Sequence, residues 1–546
     1  MVMDEVNLKI LYPDGCAEIN GNLRADELRK RINDINAALR DMMRQVGIRD
    51  ETVVEEPDNQ HSVSQTQNPI ELTGLLLHLM SDQFTHHPDA DIRLRVCAAV
   101  CYLLKLFCPT NPFELLSDSQ SRMKDVLSFL NECLIQLARL HSKHDVNYPR
   151  LFAIVYTCCK LDVFTWCRFI DEGEKYLLDC LKTLLTITKN LSVWAWSDEE
   201  TVQQFILNSL VTLINQCKSL LNNEIVAYLL SFLIEPAKSS QPIQHALIKD
   251  LIVRCNTQLE YPIQMLIQNS LVLSDQKAAS SSDMDESEKD TPLQDPLGEH
   301  SFIIIYALHT LQESLIAPIL PCVELKLKSN NSRERKRAFR LLTRIFSEPN
   351  SSIHHKNPEL FATFLSRFND IDAEVRSFCI QMVPMMLKQN PELPRSKLID
   401  CLKGCTIDRV ESVRLLSLKM VSSLRHESKD KTEVDSLFDI IYNRYRDRSL
   451  AVRKEVLAEL AAVYKENLQS SEPNTEKMVL TLNAILQMYY QPSLDDKIIV
   501  ERLFKSSIVP YNFPTKERVK SLFTCYQMAD DTSIKAIQEL LKVQFM

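Results

Sequence analysis

One arginine recurs at nearly constant spacing through the second half of the chain, and this limits the possible folds more than any other feature. Arg335, Arg376, Arg414 and Arg453 lie 41, 38 and 39 residues apart. Each opens an apolar stripe with steps of four, three and four residues. Phe339, Leu342 and Phe346 follow Arg335, and Ile380, Val383 and Leu387 follow Arg376. Leu418 and Val421 follow Arg414, and Leu457, Leu460 and Tyr464 follow Arg453. These steps trace one face of an α-helix. Asp370, Asp408 and Asp447 each stand six residues ahead of their arginine, and Ser329 takes that place before Arg335. All are residues that close turns or cap helices. A repeat of roughly 40 residues built this way predicts an all-α fold, a HEAT-repeat α-solenoid wound as a curved superhelix.

Length and glycine content agree with that reading. A chain of 546 residues is too long for one compact core. A solenoid avoids that limit, because each repeat packs only on its neighbours. The chain holds only seven glycines, Gly15, Gly21, Gly47, Gly74, Gly173, Gly298 and Gly404. Hairpins and tight turns draw on glycine, so its scarcity argues for helices throughout. No two of these glycines are spaced for a dinucleotide fingerprint, a Walker loop or a nucleophile elbow. The expectation is a protein that is not an enzyme.

The sixteen cysteines show no disulfide or zinc spacing and sit among apolar residues. They read as reduced thiols acting as small hydrophobes, which points to the cytosol or nucleus. His86-His87, His141, His144 and His354-His355 lie in or beside polar connectors with no nucleophile or ligand set near them, so no catalytic or metal residue is assigned. The first residues carry no signal-peptide pattern, and no apolar run reaches membrane-span length. The net charge of −9 disfavours a dedicated nucleic-acid binder while leaving room for a local basic patch.

Organisation along the chain is read as follows. Residues 1–48 form an extended segment and a helix with Leu28, Ile32, Ile35 and Leu39 on one face. Residues 69–273 form divergent HEAT repeats; an early copy of the mark has Arg93 leading Cys97, Val100 and Leu104, with Asp89 and Asp91 ahead of it. Residues 274–300 are acidic and serine-rich and read as a disordered loop, with Ser280, Ser282 and Ser287 each three residues before an acid. Clear HEAT repeats occupy 301–546. The last residues show no polar capping repeat, so a longer parent protein is expected.

Arg93, Arg335, Arg376, Arg414 and Arg453, with Asp370, Asp408 and Asp447, are read as structural. A stripe-facing guanidinium at a seam needs acceptors, because an unpaired buried charge costs several kcal/mol in order of magnitude. The aspartate can cap the helix and accept the guanidinium of its own arginine or the one from the next repeat. Three surfaces are candidates for function, and function is expected on faces turned away from the arginines. The first is a phosphate or anion patch. Lys326 and Lys328 precede a helix on which Arg333, Arg337, Arg340 and Arg344 form a stripe roughly 60° wide. Glu324 and Glu334 partly balance it. The second is the Pro-rich corner Cys108, Pro109, Thr110, Asn111, Pro112 and Phe113, which reads as a simple helix stop or as a notch for a short aromatic peptide. The third is the turn holding Tyr489, Tyr490, Asp495, Asp496 and Lys497, where tyrosines and acids suit partner recognition.

The words around these marks carry a resemblance. KILYPDG, HHPDADIRLRVCAAVCYLLKLFCPTNPF, LPCVELKLKSN, FLSRFNDIDAEVR, DRSLAVRKEVLAELAAVYK and YYQPSLDDKIIVERLF stand in an order and spacing similar to the precocious-dissociation-of-sisters family of sister chromatid cohesion proteins. The match corresponds to roughly the N-terminal half of such proteins and is poor over about 190–300. The resemblance implies a non-enzymatic, nuclear, chromatin-associated regulator of cohesin maintenance and unloading in mitosis. Its implied partners are the cohesin kleisin subunit, the wings-apart-like release factor, a sororin-like protector and the cohesin acetyltransferase, with chromatin reached through cohesin and no membrane. The family's Ala-Pro-acid-Ala-Pro docking corner falls on Cys108-Pro109-Thr110-Asn111-Pro112, keeping both prolines but not the flanking residues. Kleisin binding is expected near Tyr489–Lys497. No cofactor is required, although the family holds inositol polyphosphate, for which the Arg333 stripe is a candidate. Other adaptors of HEAT type, a nuclear transport receptor or a phosphatase scaffold, and a DNA-binding solenoid remain the alternatives.

Overall fold

The computed structural model describes residues 9–46, 72–108, 110–114, 116–139, 147–188, 199–280, 300–349, 351–470 and 473–545. Helices follow one another along the chain, and no strand occurs among the described residues. The chain divides into two compact units, Met1–Ile319 and Leu320–Met546.

In the first unit one row of helices runs Ala25–Gln45, Ala90–Phe107, Tyr148–Lys160, Glu199–Gln216 and Pro242–Arg254, each packed on the next. Ser119–Ile135 and Gly173–Thr188 pack together alongside it. Leu28, Ile32, Ile35 and Leu39, expected on one face, are fully buried. The start of the Gly173 helix lies so close to the preceding turn that a Cβ at Gly173 would fall 2.1 Å from the Cys167 carbonyl oxygen. Only glycine fits that approach.

In the second unit the rows are plainer. Ser332–Ser347, Ala373–Gln389, Glu411–Glu427 and Leu450–Gln469 stack in order, and Leu494–Leu503 follows. These are the helices that the arginine mark opens. Asn331, Asp372, Val410 and Ser449 are their N-caps, which puts each marked arginine at the fourth helical residue. The stripe residues Phe339, Leu342, Phe346, Ile380, Val383, Leu418, Val421, Leu457, Leu460 and Tyr464 are buried between helices. Phe339 stacks on Phe364 at 4.2 Å, and Phe346 meets Phe361 and Phe364 edge-on.

One boundary differs from the sequence expectation. The Asn256–Ser280 helix runs through the start of the stretch read as disordered, so residues 274–280 are helical. Their composition is polar, but they extend a helix already nucleated by Leu259, Ile263, Leu266 and Ile267 in the core. Ser282 and Ser287 lie outside the described residues.

Candidate functional site

The recurring arginines and aspartates form a ladder across the seams of the second unit. Arg335 donates from Nε and Nη2 to both carboxylate oxygens of Asp370, at 2.8 and 2.7 Å. Arg376 holds Asp408 in the same way at 2.6 and 2.9 Å, and Arg414 holds Asp447 at 3.0 and 2.9 Å. Arg453 continues to Asp496 at 3.0 and 2.8 Å. The remaining Nη1 of each arginine turns back to its own turn. Arg335 reaches the carbonyls of Ser329 and Asn330, and Arg376 those of Asp370 and Ile371. Arg414 reaches Asp408 and Arg409, and Arg453 reaches Asp447 and Arg448. Each of the first three aspartates also accepts the amide two residues on, from Asp372, Val410 and Ser449. Burial alone would raise the Asp370 carboxyl, but the Arg335 fork and the Asp372 amide overcome it and hold it below its ordinary value. The aspartate therefore serves the preceding repeat's arginine while its own arginine reaches forward.

In the first unit the mark recurs at Arg93. The Arg93 Nη1 donates to the His87 carbonyl, six residues back as in the later copies. The carboxylate of Asp89 takes Arg29 of the preceding Ala25–Gln45 helix, and Asp91 takes Arg95 and Arg150 at 2.8 Å each. A second seam contact gave no sequence signal. Arg425, buried near the other end of the Glu411 helix, pairs with Glu459 at 2.7 Å and Glu466 at 3.0 Å.

The tyrosine turn is divided by the ladder. Asp496, read as part of a partner surface, is 1% exposed and is the ladder's last acceptor. Its position in the first turn of the Leu494–Leu503 helix, rather than ahead of the helix, concealed the equivalence. The other members stay at the surface. Tyr490 and Asp495 are exposed, and Lys497 sits over the Tyr489 ring at 5.8 Å. Tyr489 and Tyr490 meet edge-on at 5.8 Å. Beside them Leu494 is 72% exposed, and Ile498, one turn along, is also exposed.

The basic stripe loses one member. Lys326 is buried and ion-paired with the buried Glu334 at 2.8 Å, because its position faces the seam between its own helix and Ser332–Ser347. Lys328 pairs with Glu324 at 2.7 Å on the surface. Arg333, Arg340 and Arg344 are exposed and Arg337 is half-buried. Arg340 lies over the Phe378 ring at 5.1 Å, beside a cleft of about 320 Å³ that Lys336, Glu374 and Gln381 help line.

The Pro corner loses its aromatic anchor. Phe113 is fully buried and packs edge-on against Trp166 at 6.2 Å; Pro112 is buried beside it. Both serve the core, since the turn folds inward after Thr110. The Thr110 amide and Oγ1 both donate to the Phe107 carbonyl, and Asn111 Oδ1 accepts the Phe113 amide. Cys108 and Thr110 remain exposed, Asn111 is half-buried, and Pro109 lies outside the described residues.

One surface was missed. Ile371 is 81% exposed and Ile407 63% exposed, and Leu450 and Leu494 are exposed too. Each stands within three residues of a ladder aspartate, so large apolar side chains recur along the very edge that was read as structural only. Single apolar residues in turns carry no periodic signal, and only the register of the ladder relates them. Among the described residues, no group of three or more His, Cys, Asp or Glu is arranged to hold a metal ion, and no helix is long and apolar enough to cross a membrane.

Comparison with known proteins adds the family. The chain is 27% identical over 542 residues to Sister chromatid cohesion protein PDS5 homolog B-A of Xenopus laevis, covering 98% of this chain and 34% of that protein. It is 28% identical to PDS5 homolog A of Homo sapiens, covering 98% of this chain and 37% of that one. It thus spans about a third of the length of these curated relatives. Among solved structures, a chain from the Pds5–Scc1 complex matches with a TM-score of 0.69 at 14% identity, over 96% of this chain and 76% of that one. That likeness shows a shared helical-repeat fold. The sequence model described as Sister chromatid cohesion protein PDS5 protein matches residues 26–546, and the chain belongs to that family.

Proposed function

We propose that this chain is a non-enzymatic regulator of sister chromatid cohesion. It binds the kleisin subunit of cohesin and recruits factors that release or protect the ring, controlling cohesin maintenance and unloading in mitosis, in the nucleus and on chromatin. The observation that carries this reading is the family match across residues 26–546. The Pds5 relative of known structure was solved with Scc1, a kleisin. The surface chemistry supports a binding role. Tyr490, Leu494 and Ile498 offer exposed apolar contact beside Lys497. An extended segment with apolar anchors and acids suits such a surface, since aromatic and aliphatic anchors carry most interface energy. Kleisin binds across this turn. The wings-apart-like release factor, a sororin-like protector and the cohesin acetyltransferase dock at the exposed part of the Pro corner, at Cys108 and Thr110. Arg333, Arg340 and Arg344 hold an inositol polyphosphate.

The deciding experiment is titration of the full chain with a kleisin fragment. Binding is expected, and Leu494→Asp with Ile498→Asp should weaken it at least about tenfold while circular dichroism stays unchanged. No kleisin binding by the parent chain, with capture of a transport GTPase or steeply salt-dependent DNA binding instead, would remove this reading in favour of another adaptor or a DNA-binding solenoid.

A further inference from the structure

The arginine mark of the first unit leads into a cavity that neither the ladder nor the proposed interfaces use. In the second unit each marked arginine turns Nη1 back to the carbonyl six residues behind it. Each then offers Nε and Nη2 to a carboxylate 32–43 residues further on. Arg93 makes the first of these contacts, from Nη1 to the His87 carbonyl. Its Nε and Nη2 are left as the forward fork, and no carboxylate among the described residues pairs with them. Asp89, just ahead of it, is engaged by Arg29. Arg93 is half-buried and lines a cavity of about 540 Å³ with His86, Phe129, Glu132, Gln136 and Arg139. Phe129, Glu132 and Gln136 stand 36, 39 and 43 residues after Arg93, close to the separation at which the later copies meet their aspartate. Phe129 is buried, whereas His86, Glu132 and Arg139 are exposed, so the cavity is reached from solvent. It lies between the start of the Ala90–Phe107 helix and the end of Ser119–Ile135, and the Pro corner joins the other ends of those two helices.

We propose that this cavity binds one acidic side chain of a partner peptide, whose two carboxylate oxygens accept from Nε and Nη2 of Arg93. The contact repeats, with a carboxylate from outside the chain, the fork that Arg335, Arg376, Arg414 and Arg453 each make within it. The hold of the His87 carbonyl on Nη1 fixes the guanidinium plane, so little freedom is lost when a planar carboxylate joins it. Arg139 adds a second positive charge at the rim, and Glu132 sets one negative charge against it. That balance favours a single carboxylate over a phosphate of higher charge. The volume is in the range that encloses a side chain or a small ligand. Because Phe129 is almost covered, a free small acid gains little there beyond the ion pair. A peptide adds contacts along the exposed rim, which favours a peptide as the source of the carboxylate.

The test titrates the full chain with a fluorescein-labelled heptapeptide carrying one central glutamate, read by fluorescence anisotropy. Binding is expected, and the same peptide with glutamine in place of the glutamate should bind at least about tenfold more weakly. Arg93→Met should cost at least about tenfold as well. Should Arg93→Met unfold, the exposed Arg139→Gln gives a second reading, a loss of about threefold with the melting temperature unchanged. Glu132→Gln should tighten binding by about the same factor, since it removes the opposing charge. Arg340→Glu with Arg344→Glu should leave the peptide affinity as it was. Equal binding of the glutamate and glutamine peptides, or no binding of either, would overturn the proposal. So would glutarate competing as strongly as the peptide binds, which would assign the cavity to a small free acid. Binding that appears only in Glu132→Gln, or only in Asp145→Asn, would show that the chain's own acid takes the fork and would overturn it too.

Discussion

At each seam of the second unit a single arginine meets two needs at once. Its place at the fourth helical residue lets one nitrogen reach back to two carbonyls of the turn while the other two grip a carboxylate on the next repeat. Lysine, with a single nitrogen, cannot do both. Burial makes the pair costly to break and modest in net worth. Replacing one partner strands a desolvated charge, whereas replacing both with apolar groups relieves the desolvation as well. Arg376→Met should therefore destabilise the protein by about 3–5 kcal/mol in urea unfolding. Arg376→Met with Asp408→Leu should recover most of that loss. A double variant as unstable as the single would show that the backbone contacts to Asp370 and Ile371, not the ion pair, carry the seam. The recurrence of the arginine and its structural role were legible from spacing alone. The direction of pairing was not, because Asp370 lies six residues from Arg376 and 35 from Arg335, and sequence distance favours the wrong partner.

At the scale of the helix, legibility depended on whether one face or one turn carried the information. The Ser332–Ser347 helix repeats its pattern over four turns, so Arg333, Arg340 and Arg344 were placed correctly on its exposed face. Lys326 was misplaced because it belongs to the neighbouring helix, whose rotation is set by packing against Glu334. Turns offered less. Whether Phe113 points outward or into the core depends on Trp166, 53 residues away in sequence, and no local pattern reports that contact. Asp496 shows the same limit, since a shift of the helix start relative to the aspartate disguises a ladder member as a surface acid. The basic face can be separated from the scaffold by experiment. Arg340→Glu with Arg344→Glu should lower affinity for inositol hexakisphosphate at least about tenfold by calorimetry, because charge-assisted contacts to phosphate are lost and reversed. It should leave the melting temperature nearly unchanged, since both side chains are exposed. Undiminished affinity would send the anion elsewhere on the chain.

At the scale of the whole molecule, stability in a stack of helix pairs is a sum of nearest-neighbour terms, so damage should stay local. The ladder provides the means to test this within the second unit. Arg414→Met removes the fork between the Glu411–Glu427 and Leu450–Gln469 helices and leaves the Arg335–Asp370 pair intact. The buried side chains Val413, Leu418, Val421, Val452 and Leu457 still hold that seam, so the unit should remain folded at room temperature. Amide hydrogen exchange should then rise in the two helices flanking the altered seam, while Ser332–Ser347 keeps its parent protection. The exposed ladder-edge residues Ile407 and Leu450 sit at this seam, so loosening it should also weaken any segment bound along that edge. If exchange rises equally in all helices of the unit, the second unit unfolds as one cooperative block, and the ladder acts as a single continuous brace instead of a series of separate clasps.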